Sequence, residues 1–369
     1  MPDAPSTRLT SLDALRGFDM LWIAGGGALG KALKNFGDVP LAPSLATQFE
    51  HVAWEGFHFE DLIFPLFIFI AGASLVFSLT KIVAQHGRTA AARRIGVRAL
   101  VLFIIGVFYS GGFDKGIEGV RWLGVLQRIA LAYAGAALLF LFLKPRGLIV
   151  ACIAMLLGYW ALLALVPVPE FGAGDFAQRH NLTNYLDSRF LPGRKYDRDH
   201  DPEGLLSTLP AIATCLLGVF AGLRLRGGAS ACNARWLIIA GVLLLCAGWA
   251  WSPWFPVIKK IWTSSYVLVA GGWSAILLGV FHWIVDVRGW RRWAGPFVWI
   301  GMNSITIYLV SGIIDWPKLA ARVTGGDLQK FLNTGLHPGV GDLLTALVAM
   351  SFSVFLAWFL HRRKIFLRV

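Results

Sequence analysis

Apolar runs of about twenty residues recur along the chain, at about 12–30, 61–83, 94–110, 121–143, 147–166, 204–224, 235–252, 262–284, 296–314 and 341–360. Each is long enough to cross roughly 30 Å of hydrocarbon as a helix. Nothing alternates with the two-residue period of a barrel strand, and lipid satisfies no backbone hydrogen bonds. The pattern therefore predicts an all-α, polytopic integral membrane protein with about ten transmembrane helices, forming one domain over residues 1–369. Two connections are long, about 31–60 and 167–203, and loops of that length usually carry function or disorder.

The polar connections alternate in charge. Lys81, Arg88, Arg93, Arg94 and Arg98 follow the second run, Lys144 and Arg146 the fourth, and Arg224, Arg226 and Arg235 the sixth. Arg288, Arg291 and Arg292 follow the eighth, and Arg362, Arg363, Lys364 and Arg368 the tenth. Every second connection is basic, which places those connections and both termini in the cytoplasm. The first of the opposite connections is acidic, with Asp38, Glu50, Glu55, Glu60 and Asp61.

Composition agrees. The chain is 56% hydrophobic and 15% charged, against roughly 25% charged for soluble domains. A net charge of +13 would suit nucleic acid, but the basic residues lie in short clusters between apolar runs and serve topology instead. Cys152, Cys215, Cys232 and Cys246 have no metal-ligand spacing and imply no disulfide framework. The first apolar run holds Asp13, Arg16 and Asp19, unlike a signal-peptide core.

Ionisable residues inside spans are costly and mark candidate chemistry. Asp13, Arg16 and Asp19 recur every three residues on one helical face, as a self-neutralising ladder or as part of a site. Gly25, Gly26, Gly27 and Gly30 follow and permit close approach by a neighbour or a ligand. Gln127 and Arg128 enter the fourth span from outside, Arg128 about 9–10 Å deep. Arg128 suits either an anion clamp or an ion pair with Asp61 or Glu60. The stretch from Phe49 to Asp61 mixes aromatics, acids and two histidines as it enters the second span. In a helix His51 and Glu55 would share a face, so the carboxylate would orient the ring; an interfacial belt and a His51–Glu55–His58 metal set are the other readings. No fourth ligand accompanies that set, and no metal is expected. Asp201-Pro202-Glu203-Gly204 reads as an ordinary helix start, and Asn303 as a buried amide in need of a partner. Asn181-Leu182-Thr183 forms a glycosylation sequon in the second long outer loop.

Seven motifs in order, SLDALRGFDM, HVAWEGFHFEDLIFPLFIFIAG, GVLQRIALAY, YDRDHDPEGLLSTLPAI, PVIKKIWTSSYVL, VDVRGW and GMNSITIYLV, run over nearly the whole chain. This series resembles the heparan-α-glucosaminide N-acetyltransferase family, in the form of a compact bacterial relative. The resemblance implies acetyl transfer from acetyl-CoA, as co-substrate, to a glucosamine-type amine or glycan acceptor. It implies His51 as the active-site histidine, on the non-cytoplasmic side of the membrane (the inner membrane for a bacterial source). Two departures stand out: Ile23 or Ala24 occupies the place of a functional Asn of the lysosomal enzymes, and Glu55 that of the Asn after their Trp. The expected site has His51 as general base, Asp61 or Glu55 orienting it, and Arg128, Gln127, Asn303 and Arg16 toward acetyl-CoA. A homodimer in the bilayer and no nucleic-acid partner complete the expectation. The rival reading is an amino-sugar transporter that uses the same polar residues as a substrate path, and the weaker third is a non-catalytic scaffold.

Overall fold

The computed structural model describes residues 9–37, 39–324 and 326–367; Asp38, Arg368 and the extreme termini lie outside the described residues. Every predicted apolar run is largely helical, the ninth being divided between two helices. In chain order these are α1 (Thr10–Lys34), α2 (Ala42–Gln48), α3 (Phe59–Tyr109), α4 (Val125–Phe142), α5 (Pro145–Leu165), α6 (Leu182–Phe190) and α7 (Thr208–Leu225). There follow α8 (Ala231–Trp251), α9 (Ser264–Phe281), α10 (Gly295–Met302), α11 (Ser304–Ile313), α12 (Trp316–Thr324), α13 (Gly326–Gly335) and α14 (Val340–Arg362). A π-helical turn, His282–Val287, extends α9. Among the described residues, extended pairing is confined to isolated bridges such as Glu55–Ile258.

Among the described residues, seven helices are long and apolar enough to cross a membrane, or eight if the bent pair α10–α11 is one span. The expected ten requires α1, which carries Asp13, Arg16 and Asp19, and both halves of α3 to cross as well. At 51 residues α3 covers two predicted runs, with a break at Gly87 (φ 78°) amid the basic residues between them. An L-residue side chain is strained at that φ, so glycine permits the change of direction.

Helix pairs approach through small residues, as lipid-embedded packing requires. A Cβ on Gly218 of α7 would sit 1.9 Å from the Phe69 carbonyl oxygen of α3, and one on Gly72 2.0 Å from that of Cys215. The α3–α4–α7–α9 core is built around residues such as Leu66, Phe69, Ala132, Leu216 and Tyr266.

The structure corrects three local expectations. Helix α7 begins at Thr208, so Asp201-Pro202-Glu203-Gly204 is a loop and not a helix start. Asn303 ends α10 at a 79° bend where a continuous helix was expected. The Asn181 of the sequon is buried (1% exposed), with its side chain capping α6 and donating to Ala177, so it presents no acceptor amide.

Candidate functional site

The segment 51–58 is not helical, with bends at 53, 54 and 56, which corrects the helical pairing of His51 with Glu55. Gly56 (φ 125°) donates its N–H to the Val257 carbonyl, and Glu55 bridges Ile258. Glu55 is therefore exposed and its backbone, not its carboxylate, does the local work. That pairing carries the next residue, Lys259, to the histidine. Lys259 Nζ lies 3.0 Å from His51 Nδ1 and 3.3 Å from Asp61 Oδ1.

Asp61 orients His51. In the first turn of α3 its buried carboxylate (1% exposed) lies 3.0 Å from His51 Nδ1 through Oδ1. Through Oδ2 it accepts the backbone N–H groups of His58 at 3.1 Å and Val52 at 3.3 Å. The Tyr266 hydroxyl of α9 donates to the Asp61 carbonyl at 2.8 Å and fixes the turn against the core. The His51 side chain is 58% exposed, so one edge is held and the other is open. His58 instead donates through Nδ1 to the Glu50 carbonyl at 2.9 Å. Among the described residues, no three His, Cys, Asp or Glu side chains converge as metal ligands.

His51 and Lys259 open onto a cavity of about 330 Å³, within the range of small-molecule sites. Ile23, Glu60, Arg121, Tyr196, Glu203, Lys260 and Tyr308 contribute to its wall. Arg121 precedes α4 and clasps Asp201 through Nε (2.8 Å) and Nη2 (2.7 Å), with Nη2 also 2.6 Å from Glu203. Burial and the negative Asp201 push Glu203 up to about 7, although Arg121 pulls it down. Burial also raises Asp201, but the hydrogen bonds and charge of Arg121 outweigh it and hold the carboxyl below its usual range. Lys260 pairs with Asp197 at 2.8 Å. Burial lowers Lys259, against the opposing pull of Asp61.

The other expected cofactor contacts lie outside the cavity wall. Arg128 is fully buried and donates to the carbonyls of Ser207 (3.2 Å), Pro202 (3.1 Å) and Gly204 (3.3 Å) and to Ser207 Oγ (2.6 Å). It sits over the Trp262 ring, and neither Asp61 nor Glu60 is its hydrogen-bond partner. It pins the loop that presents Glu203. Gln127 donates to the Arg121 carbonyl at 3.2 Å and so supports a wall residue. Arg16 bridges Asp13, Ser74 of α3 and the Gly301 carbonyl of α10. Asn303 donates to the Trp299 carbonyl at the bend, and its own Oδ1 is buried without a partner. Sequence reading missed Lys259, Arg121 and Glu203; the lysines and tryptophan of PVIKKIW were the available signal.

A helical bundle of membrane-spanning character, with a carboxylate-held histidine on a cavity lined by apolar side chains and a few charged ones, defines a multi-pass membrane protein with a site equipped for proton transfer. The profile described as "Heparan-alpha-glucosaminide N-acetyltransferase, catalytic" matches residues 8–245. Heparan-alpha-glucosaminide N-acetyltransferase of Homo sapiens is 30% identical over 387 residues, covering 87% of this chain and 56% of that protein. The enzyme of the same name from Mus musculus is 29% identical over 392 residues, with the same shares. The chain belongs to the heparan-alpha-glucosaminide N-acetyltransferase catalytic family, and it spans about half the length of the curated relatives it matches.

Proposed function

We propose that this protein is a membrane acetyltransferase that moves the acetyl group of acetyl-CoA to the amine of a glucosamine-type acceptor. The observation that carries the reading is the His51–Asp61 pair on the cavity, with one imidazole nitrogen against a buried carboxylate and the opposite edge open. With Nδ1–H donated to Asp61, the Nε2 lone pair is the base. His51 takes a proton from the acceptor's ammonium, the freed nitrogen forms a bond to the thioester carbon, and the C–S bond breaks. A second proton from that nitrogen ends on the CoA sulfur, and the first leaves to solvent. Arg121, on the cavity wall, supplies positive charge for the developing thioester oxyanion.

The charge alternation supports both termini in the cytoplasm and His51 on the other side. Purified protein in detergent, supplied with acetyl-CoA and glucosamine, tests the reading. His51→Ala should cost about 10²–10⁴-fold in transfer rate, as loss of a general base does, and His58→Ala far less. Wild-type protein that consumes no thioester would overturn the acetyltransferase reading. Near-normal His51→Ala alongside inactive His58→Ala would overturn the assignment of the base.

A further inference from the structure

Resting on the His51 reading, we infer that Lys259 is a positioning residue that selects the tautomer of His51 and thereby switches its base on and off. His51 Nδ1 has two neighbours at 3.0 Å, Asp61 Oδ1 and Lys259 Nζ. An imidazole nitrogen carries either a proton or a lone pair. An ionised carboxylate only accepts, so its contact requires a proton on Nδ1. An ammonium only donates, so its contact requires a lone pair there. The two contacts exclude each other while Lys259 is charged.

Each choice has a chemical consequence at the exposed edge. When Lys259 donates to Nδ1, the neutral ring keeps its proton on Nε2, which is then a donor and no base. When Asp61 holds a proton on Nδ1, Nε2 carries the lone pair that the transfer needs. The exchange is proton-neutral: Nε2 gives one proton to solvent and Nδ1 takes one up. Lys259 keeps a partner in both states, because its ammonium also reaches Asp61 Oδ1 at 3.3 Å. A fifth of the Lys259 side chain is exposed, and it lines the cavity. An occupant that offers a carbonyl or an anion can therefore draw the ammonium from Nδ1, so that the base forms when the cavity is filled.

The groups that set the charge of Lys259 are Asp61 and Glu60 from α3 and Glu203 from the 191–207 loop, all attractive, against its own burial. Lys260 lines the same cavity but pairs with Asp197, which makes it the control.

Nitrogen-15 histidine spectra of the detergent-solubilised protein test this directly, with His51 assigned by its disappearance in His51→Gln. In wild type near neutral pH, Nδ1 should show a lone-pair-type shift and Nε2 a protonated-type shift. Lys259→Met should exchange the two, Asp61→Asn should leave them in the wild-type order, and Lys260→Met should change nothing. Alkaline titration of wild type should reproduce the Lys259→Met pattern as the ammonium is lost, which serves if that variant does not fold. In turnover, wild-type kcat/KM should rise through the same titration, and that rise should be missing in Lys259→Met. His51 in one tautomer in wild type and Lys259→Met alike, or unmoved by alkaline titration, overturns the inference. A tautomer that responds in a protein without transferase activity would overturn the acetyltransferase reading and leave this one standing.

Discussion

Replacing Arg121 by Gln should be among the most damaging single changes on the cavity wall, and the damage should grow with pH. The guanidinium makes three charge-assisted hydrogen bonds, at 2.6–2.8 Å, to two carboxylates with almost no solvent access. Removing one partner of a buried ion pair typically costs about 3–5 kcal/mol, because a charge is left without compensation. Glu203 can soften the loss by staying protonated, since its carboxyl already sits at about 7. Below pH 7 it is protonated in wild type and variant alike, and only Asp201 is stranded. Above pH 7 wild type releases that proton while the variant, without Arg121, retains it. The difference in stability then grows by about 1.4 kcal/mol per pH unit. Between pH 7 and 8.5 that is roughly 2 kcal/mol of additional loss. Denaturant titration in mixed micelles, followed by tryptophan fluorescence, measures both quantities. Adding Glu203→Gln to the variant should remove the pH-dependent part and leave the rest. A loss under about 1 kcal/mol, or one equal at pH 6 and pH 8.5, refutes the buried-triad account.

Four further expectations follow from the same structure. Asp187 is fully buried, and burial raises its carboxyl to about 6 against the donors Leu205 N and Asp201 N. The protonated form is the one the fold favours, so stability present below pH 4 should fall by roughly 3 kcal/mol as pH rises through 6, and Asp187→Asn should flatten that slope in thermal unfolding. Arg128→Lys keeps the charge but loses the fork that holds three carbonyls and a hydroxyl; it should cost about 2–4 kcal/mol of stability with little change in KM for acetyl-CoA. Gly218→Ala drives a Cβ into the Phe69 carbonyl and should cost about 1–3 kcal/mol, read as a lower unfolding midpoint. A single cysteine at position 90, with exposed Cys232 and Cys246 first replaced, should react with an impermeant reagent only from the cytoplasmic side.

Helices were legible because the apolar runs carry their own signal, one that a membrane forces on any chain within it. The dyad was half legible. His51 was marked by its motif, and Asp61 by an acid at the entry to an apolar run. What misled was the assumption of a helix from 51 to 58, which made Glu55 a neighbour of the ring. Gly56 at φ 125° and the backbone pairing with 257–258 replace that helix with a bent, non-helical segment. Without the helical turn, residues four apart are no longer brought together, and Asp61 takes the ring while Glu55 is exposed. The same pairing delivers Lys259 from 208 positions away, which no local spacing could reveal.

The two arginines beside α4 show where such reading stops. Arg128 drew attention because a charge within an apolar run is expensive. That cost is met by the carbonyls of a loop and the Trp262 ring, so the depth of Arg128 reports a structural bond. Arg121, seven residues earlier, lies before the helix, where a charge is cheap and unremarkable in sequence. Yet it faces the cavity, because α4 starts only at Val125 and leaves residues 120–124 free to bridge the 193–203 loop through Arg121–Gly193 and Arg121–Asp201. Polarity along a membrane chain shows what burial must compensate. Which of two nearby cations faces a cavity is decided by where a helix begins and by what a distant loop brings against it.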